Sequence, residues 1–143
     1  MLGFAEALAV VEHLARTNRL PTERIALSRA HGRILAQDLA APMALPPFDN
    51  SAMDGIAFRY EDLAFARSEG LRLAGEQFAG VRRDLRVSAG DCVRITTGAP
   101  IPAGADTVYP QEVVTRAGQR IDVGPIDVGA NVRYRGEDVR AGD

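Results

Sequence analysis

Cys92-Val93-Arg94-Ile95-Thr96-Thr97-Gly98-Ala99-Pro100-Ile101-Pro102-Ala103-Gly104-Ala105-Asp106-Thr107-Val108-Tyr109-Pro110 sets the architecture of this chain. A β-type run from Cys92 to Thr97 ends in a hydroxyl and a glycine. A corner rich in Pro and Gly follows, and a second β-type run starts at Thr107. Pro110 falls inside that second run, which makes it an edge strand or a bulged one. The same alternation continues to either side. Glycines stand at 75, 80, 90, 98, 104, 118, 124, 129, 136 and 142. Between them lie β-type runs at Leu71–Ala74, Leu85–Ser88, Gln119–Val123 and Asn131–Tyr134. Short strands at this spacing predict a barrel-like domain or a bifurcated antiparallel sheet.

Upstream the pattern changes. Phe4, Leu8, Val11 and Ala15 recur at helical spacing and predict a helix from Gly3 to Arg16, ended by Thr17-Asn18 and Pro21. Its apolar stripe needs cover, either from the core of this chain or from a second domain or subunit. His13 lies on the opposite face and reads as solvated. Short strands are expected at Glu23–Leu27 and Arg33–Leu39, around a helical turn closed by Gly32. Pro46-Pro47-Phe48-Asp49-Asn50-Ser51-Ala52-Met53-Asp54-Gly55 is a stiff polar loop, since two prolines fix φ and remove two donors. Ile56–Phe58 reads as a strand and Glu61–Ser68 as one or two helical turns. The fold class is therefore mainly β with an N-terminal helix. An elongated α+β subdomain over 1–45, open to recruiting the C-terminal strands, precedes a mostly β domain over 46–143. The ending at Arg140-Ala141-Gly142-Asp143 reads as cut, without an element to close a domain.

The bulk composition excludes several classes. Seventeen basic and nineteen acidic residues in 143 leave a net charge of −2, against the basic excess of a nucleic-acid or membrane-surface binder. All basic groups are arginine. The single cysteine rules out an intrachain disulfide, and two distant histidines leave metal binding mainly to carboxylates. The apolar run near the N-terminus is broken by Glu6 and Glu12, so it is neither a signal peptide nor a span. A cytoplasmic location is the expectation.

Several residues could carry chemistry. Asp54, followed by Gly55 and flanked by Met53 and Ile56, divides evenly between a functional and a structural carboxylate. Asp49, before Asn50 and Ser51, is better suited to capping its own turn. Thr97-Gly98 places a hydroxyl and approachable backbone N–H groups at a strand end, but the spacing is not that of a phosphate-binding Walker loop. Arg133 and Arg135 alternate on one strand face, where guanidinium groups suit oxyanions, but on the residues alone a salt-bridged surface with Glu137 and Asp138 is the better explanation. Gly75-Glu76-Gln77-Phe78-Ala79-Gly80 lacks the pattern of a nucleotide loop. Cys92 reads as an inert buried thiol.

The order of these motifs is more specific than any one of them. Pro46–Gly55, Gly75–Gly80, Arg94–Val108, Gln111-Glu112 and Asn131–Asp138 together resemble the N-terminal part of the MoeA-type molybdopterin molybdenumtransferases, the family that includes a domain of gephyrin. The resemblance covers essentially the whole chain. It implies transfer of molybdenum from molybdate to adenylylated molybdopterin in molybdenum cofactor biosynthesis, with Mg²⁺ involved, in a homodimer. It also implies a molybdopterin-binding α/β domain and a C-terminal β domain that this chain lacks, and an active cleft between subunits. Matched position by position, the family's catalytic residues fall on Asp54, Thr97 and Asp138. Asp54 and Asp138 are also the candidate metal contacts, with Mg²⁺ held mainly by the absent α/β domain. Asn50, Ser51 and Arg135 are the candidates for cofactor contact. Ile56, Thr96 and Tyr109-Pro110 depart from the family pattern and bear on strand packing. Alone, the chain is not expected to catalyse. The alternative is a non-catalytic dimerisation or scaffolding module of gephyrin type. A third reading is a small β-domain that binds oxyanions through Arg133 and Arg135.

Overall fold

The computed structural model describes residues 2–81, 83–117 and 120–143. The chain forms two units, one ending at Leu39 and the other spanning Ala40–Asp143. In the first, α1 (Phe4–Thr17) begins after Gly3, whose backbone N–H donates to Glu6 Oε2 at 2.9 Å and so gains a partner the helix cannot supply. Its apolar stripe is open: Phe4 is 85% and Val11 61% exposed. No residue of α1 is buried within its own unit. The strands expected at 23–27 and 33–39 do not form. After α1, the described residues of this unit form only a 3₁₀ turn at Leu27–Arg29, with Gly32 beyond it at φ 76°. Alternating side chains do not make a strand where no second strand offers ladder hydrogen bonds.

Among the described residues the second unit has eight strands. β1 (Asn50–Ser51) pairs antiparallel with β8 (Val132–Arg133). The other six form one sheet, ordered β5-β2-β4-β3-β7-β6, from β2 (Gly55–Phe58), β3 (Leu71–Gln77), β4 (Asp91–Ile95), β5 (Thr107–Pro110), β6 (Thr115–Ala117) and β7 (Arg120–Asp122). Every pair is antiparallel except β3–β4, which run parallel with a register shift between Leu73 and Gly75. β5 is an edge, so Pro110 takes a place where a missing donor costs no central ladder bond. The β-type run that starts at Thr107, expected to reach Thr115, is not one strand: a 3₁₀ turn at Gln111–Val113 divides it. Leu85–Ser88 contributes only a bridge from Arg86 to Ala103. The expected strand at 119–123 is β7, and Gly118 and Gln119 lie outside the described residues.

β2 is buried along its whole length because both faces of the sheet are covered. Ile56 and Phe58 point into one core with Leu71, Cys92, Tyr109 and Ile121, closed by Ala66 of α2 (Leu63–Ser68). Ala57 points the other way, toward Ile95, Ala99 and Val108. Burying Phe58 fully is worth about 3 kcal/mol of apolar transfer. Gly55 is obligatory at the start of β2, since a Cβ there would lie 2.3 Å from the Tyr109 carbonyl oxygen. The C-terminal segment returns along residues 41–46. Asp143 O accepts from Ala41 N at 2.8 Å, Val139 O from Leu45 N at 2.8 Å, and Gly136 N donates to Pro46 O at 2.9 Å. Residues 40–45 thus belong with the second unit through strand-like contacts that begin at Gly136.

Candidate functional site

Asp54 sits in the bend between β1 and β2. Its carbonyl accepts from Gln111 N at 3.1 Å, which ties the bend to the end of β5. Across the sheet, β4 ends at Ile95, and Thr96-Thr97-Gly98-Ala99 turns the chain, with Ala99 N donating to Thr96 O at 3.0 Å. Gly98, at φ 76°, is the third residue of that turn, where a left-handed backbone suits glycine. The turn is anchored by Ser51: Gly98 N donates to Ser51 O at 2.8 Å and Ser51 N to Ala99 O at 3.0 Å. These contacts aim Thr97 at Asp54. Its N–H and its hydroxyl both donate to Asp54 Oδ1, at 2.7 and 2.8 Å.

The Thr97 backbone N–H, and after it the Thr97 hydroxyl, hold the Asp54 carboxyl below its ordinary range; partial desolvation opposes them and the Arg94 charge assists. The group is a fixed carboxylate at neutral pH. Oδ1 is fully used, while Oδ2 accepts no hydrogen bond among the described residues. The unit holds cavities of about 510 and 360 Å³, and neither is lined by Asp54, Thr97 or Asp138. The carboxylate is half-buried and lies outside both cavities.

Asp138 lies in a different group. Its Oδ2 accepts from Arg133 Nη2 at 2.6 Å, and Glu137 Oε1 accepts from Arg133 Nε at 2.6 Å. Glu137 Oε2 also accepts from Tyr134 N at 2.8 Å. Arg133 first and the Tyr134 N–H second lower the Glu137 carboxyl, and the two carboxylates raise Arg133. Among the described residues, no hydrogen bond or ion pair joins Asp138 to Asp54 or Thr97. The structure therefore brings two of the three candidate residues together and sets the third in a salt-bridged turn.

The other candidates are largely committed to the fold. Asn50, 8% exposed, donates from Nδ2 to Phe48 O at 3.1 Å, and Ser51, 1% exposed, donates from Oγ to Met53 O at 2.6 Å. Both are in β1 rather than in a free turn. Asp49 does not cap its own turn: Oδ1 accepts from Arg135 N at 2.7 Å, 86 residues on, and joins the segment before β1 to the one after β8. Arg135 lies beyond β8 and does not share a strand face with Arg133. Cys92 is buried, and burial, then the Asp91 charge, pushes its thiol up to about 12. Sequence reasoning missed Asn131, which adopts φ 59° and donates from Nδ2 to Val108 O at 2.8 Å. Asparagine's tolerance of that backbone region was the available signal.

Mg²⁺ finds an incomplete donor set here. Among the described residues, no three His, Cys, Asp or Glu side chains converge where they could hold a metal ion. Asp54 offers one oxygen, and Asp138 is occupied by Arg133. Among the described residues, these side chains do not by themselves make up a complete set of ion ligands.

The whole arrangement matches a known family model, "MoeA N-terminal region (domain I and II)", over residues 2–143. The chain belongs to the MoeA N-terminal family. This MoeA N-terminal region is 40% identical over 149 residues to a molybdopterin molybdenumtransferase of Synechococcus elongatus, covering 99% of this chain and 36% of that protein. It is 43% identical over 128 residues to one of Haemophilus influenzae, covering 85% and 30%. A crystal structure of the molybdopterin biosynthesis moeA protein from Pyrococcus horikoshii OT3 superposes with a TM-score of 0.77 at 38% identity, covering 85% of this chain and 33% of that one. The chain spans about a third of the length of the curated relatives it matches. Among the described residues no helix is long and apolar enough to cross a membrane.

Proposed function

We propose that this MoeA N-terminal region supplies one wall of the active site of a molybdopterin molybdenumtransferase, which transfers molybdenum from molybdate to adenylylated molybdopterin. The observation that carries the reading is the Asp54–Thr97 pair. A carboxylate is oriented by two donors on one oxygen and leaves the other without a hydrogen-bond partner among the described residues, in a chain whose relatives bear that enzyme name. Charge fixed before substrate arrives costs no reorganisation during reaction. Thr97 orients Asp54 and keeps it ionised, and Asp54 Oδ2 is the atom offered to substrate. Asp138 contributes through the Arg133 cluster, as a second acidic surface beyond the first. Mg²⁺, in this reading, takes most of its ligands from the α/β domain of the complete enzyme. The unpaired Oδ2, outside both cavities of this region, favours a site completed by another domain of a homodimer in the cytoplasm.

Asp54→Asn in a full-length molybdenumtransferase carrying this region is the test. The variant is isosteric and retains an oxygen for Thr97, so it folds normally. Molybdenum insertion falls by at least about 100-fold, the scale on which a positioned acid–base or charge-stabilising group acts. Undiminished cofactor synthesis overturns the assignment.

The exposed stripe of α1 favours a second role, as a docking face for dimerisation or scaffolding. Mixing this chain with the separately expressed remainder of the enzyme distinguishes the two: restored insertion supports the catalytic role, and association without activity supports scaffolding alone.

A further inference from the structure

The Gly75–Gly80 motif has no nucleotide to hold, yet one of its residues is buried and fully committed. Gln77 ends β3 and is 1% exposed. Its Nε2 donates to Phe78 O at 3.1 Å and to Val81 O, and its Oε1 accepts from Arg83 N at 3.2 Å. Two donors and an acceptor are thus spent on the backbone just beyond the strand, leaving no buried polar atom of the amide unpaired. A loop can be covered by an apolar side chain without the cost of burying an amide. The amide is explained by what the shaped segment grips.

That segment grips Thr96. Thr96 N donates to Gln77 O at 3.2 Å, and Ala79 N donates to Thr96 Oγ1 at 3.0 Å. Thr96 is held through both backbone and side chain, one residue before the Thr97 whose N–H and hydroxyl hold Asp54. From the other side the turn is held by Ser51. We infer that Gln77 is a positioning residue for Asp54: its amide shapes the segment after β3, that segment fixes Thr96, and Thr96 sets the donors of Thr97 on Asp54 Oδ1. Gln77 itself never touches Asp54. The inference uses the proposed function only in taking Asp54 as the group that acts.

The test reads geometry in the chain itself by ¹H–¹⁵N NMR, independently of activity. In the unsubstituted protein the Thr97 amide proton, donated to a carboxylate at 2.7 Å, resonates well downfield, and Asp54→Asn moves it upfield. Gln77→Leu and Thr96→Val are each expected to move it part of the way to that position. Each also speeds hydrogen exchange at Thr97 by about tenfold, the effect of losing roughly one net hydrogen bond. Ile121→Val, a core methyl deletion in β7 that touches neither the Gln77 amide nor the Thr96 contacts, leaves the Thr97 resonance in place. An unmoved Thr97 resonance in Thr96→Val overturns the inference, as does an equal shift in Ile121→Val. Thr96 is only partly buried, so Thr96→Val decides alone if Gln77→Leu does not fold. Retained activity in Asp54→Asn would sink the functional reading without touching this one.

Discussion

Asp54 shows how one residue is made acidic by its neighbours. Its folded carboxyl lies below the ordinary value of 3.8, chiefly because Thr97 donates twice to one oxygen. A depressed carboxyl pKa adds stability that is fully present above the unfolded value and is lost as pH falls through the folded one. Thr97→Val removes the hydroxyl donor and keeps the N–H, so Asp54 should titrate higher than in the unsubstituted chain. The stability difference between the two proteins is then fully present at pH 7 and smaller at pH 3, below the ordinary carboxyl value of 3.8. Urea midpoints at the two pH values check this, and an equal difference at both would show that the hydroxyl acts only through packing. The functional half of this pair was legible in the sequence only as a divided choice, because Asp-Gly after an apolar residue is equally good turn chemistry. Resemblance favoured Asp54, but the Thr97 contact across 43 residues needed the fold. Asp49 was misread as a local cap for the same reason. Turn propensity describes what a side chain can reach nearby, and Asp49 reaches Arg135 instead.

At the scale of elements, β2 is the strand on which the site depends. It lies between β5 and β4, and both of its faces are covered. Gly55→Ala forces a methyl group to within 2.3 Å of the Tyr109 carbonyl oxygen, a backbone atom that cannot rotate away. The expected cost is about 3 kcal/mol, at the upper end for overpacking, read as a lowered midpoint in chemical denaturation. A change below about 0.5 kcal/mol, the range of neutral surface substitutions, would mean that β5 moves aside freely. The short strands downstream were visible from glycine spacing, since glycine and proline punctuate any pattern of ladders. The strands expected at 23–27 and 33–39 were not there to be found. Their alternation is real, but alternation records only which side chains could share a face. β1 was hidden for the opposite reason: two residues after two prolines carry no periodicity, and their partners in β8 lie more than eighty residues away.

For the whole molecule, every buried apolar side chain among the described residues lies between Ala44 and Val123. Residues 40–143 are accordingly expected to fold without residues 1–39 and to unfold in a single cooperative transition. Circular dichroism and tryptophan-independent thermal melts of the shorter chain check this; a broad, non-cooperative melt would place part of the core's stability in the first unit. By itself the sequence determined the class, mainly β with one N-terminal helix, because hydrophobic period and glycine punctuation are local. It also determined the family, because ordered motifs survive without knowledge of their contacts. Only the tertiary structure decided which candidates meet. Strand pairing joins residues by register and not by distance along the chain, so Thr97 reached Asp54 across 43 residues, while Asp138 kept the nearby partner, Arg133, that a salt-bridged surface had suggested. It also decided that Asn50, Ser51 and Gln77 serve the backbone, since a buried polar group must take whatever partner the fold brings to it.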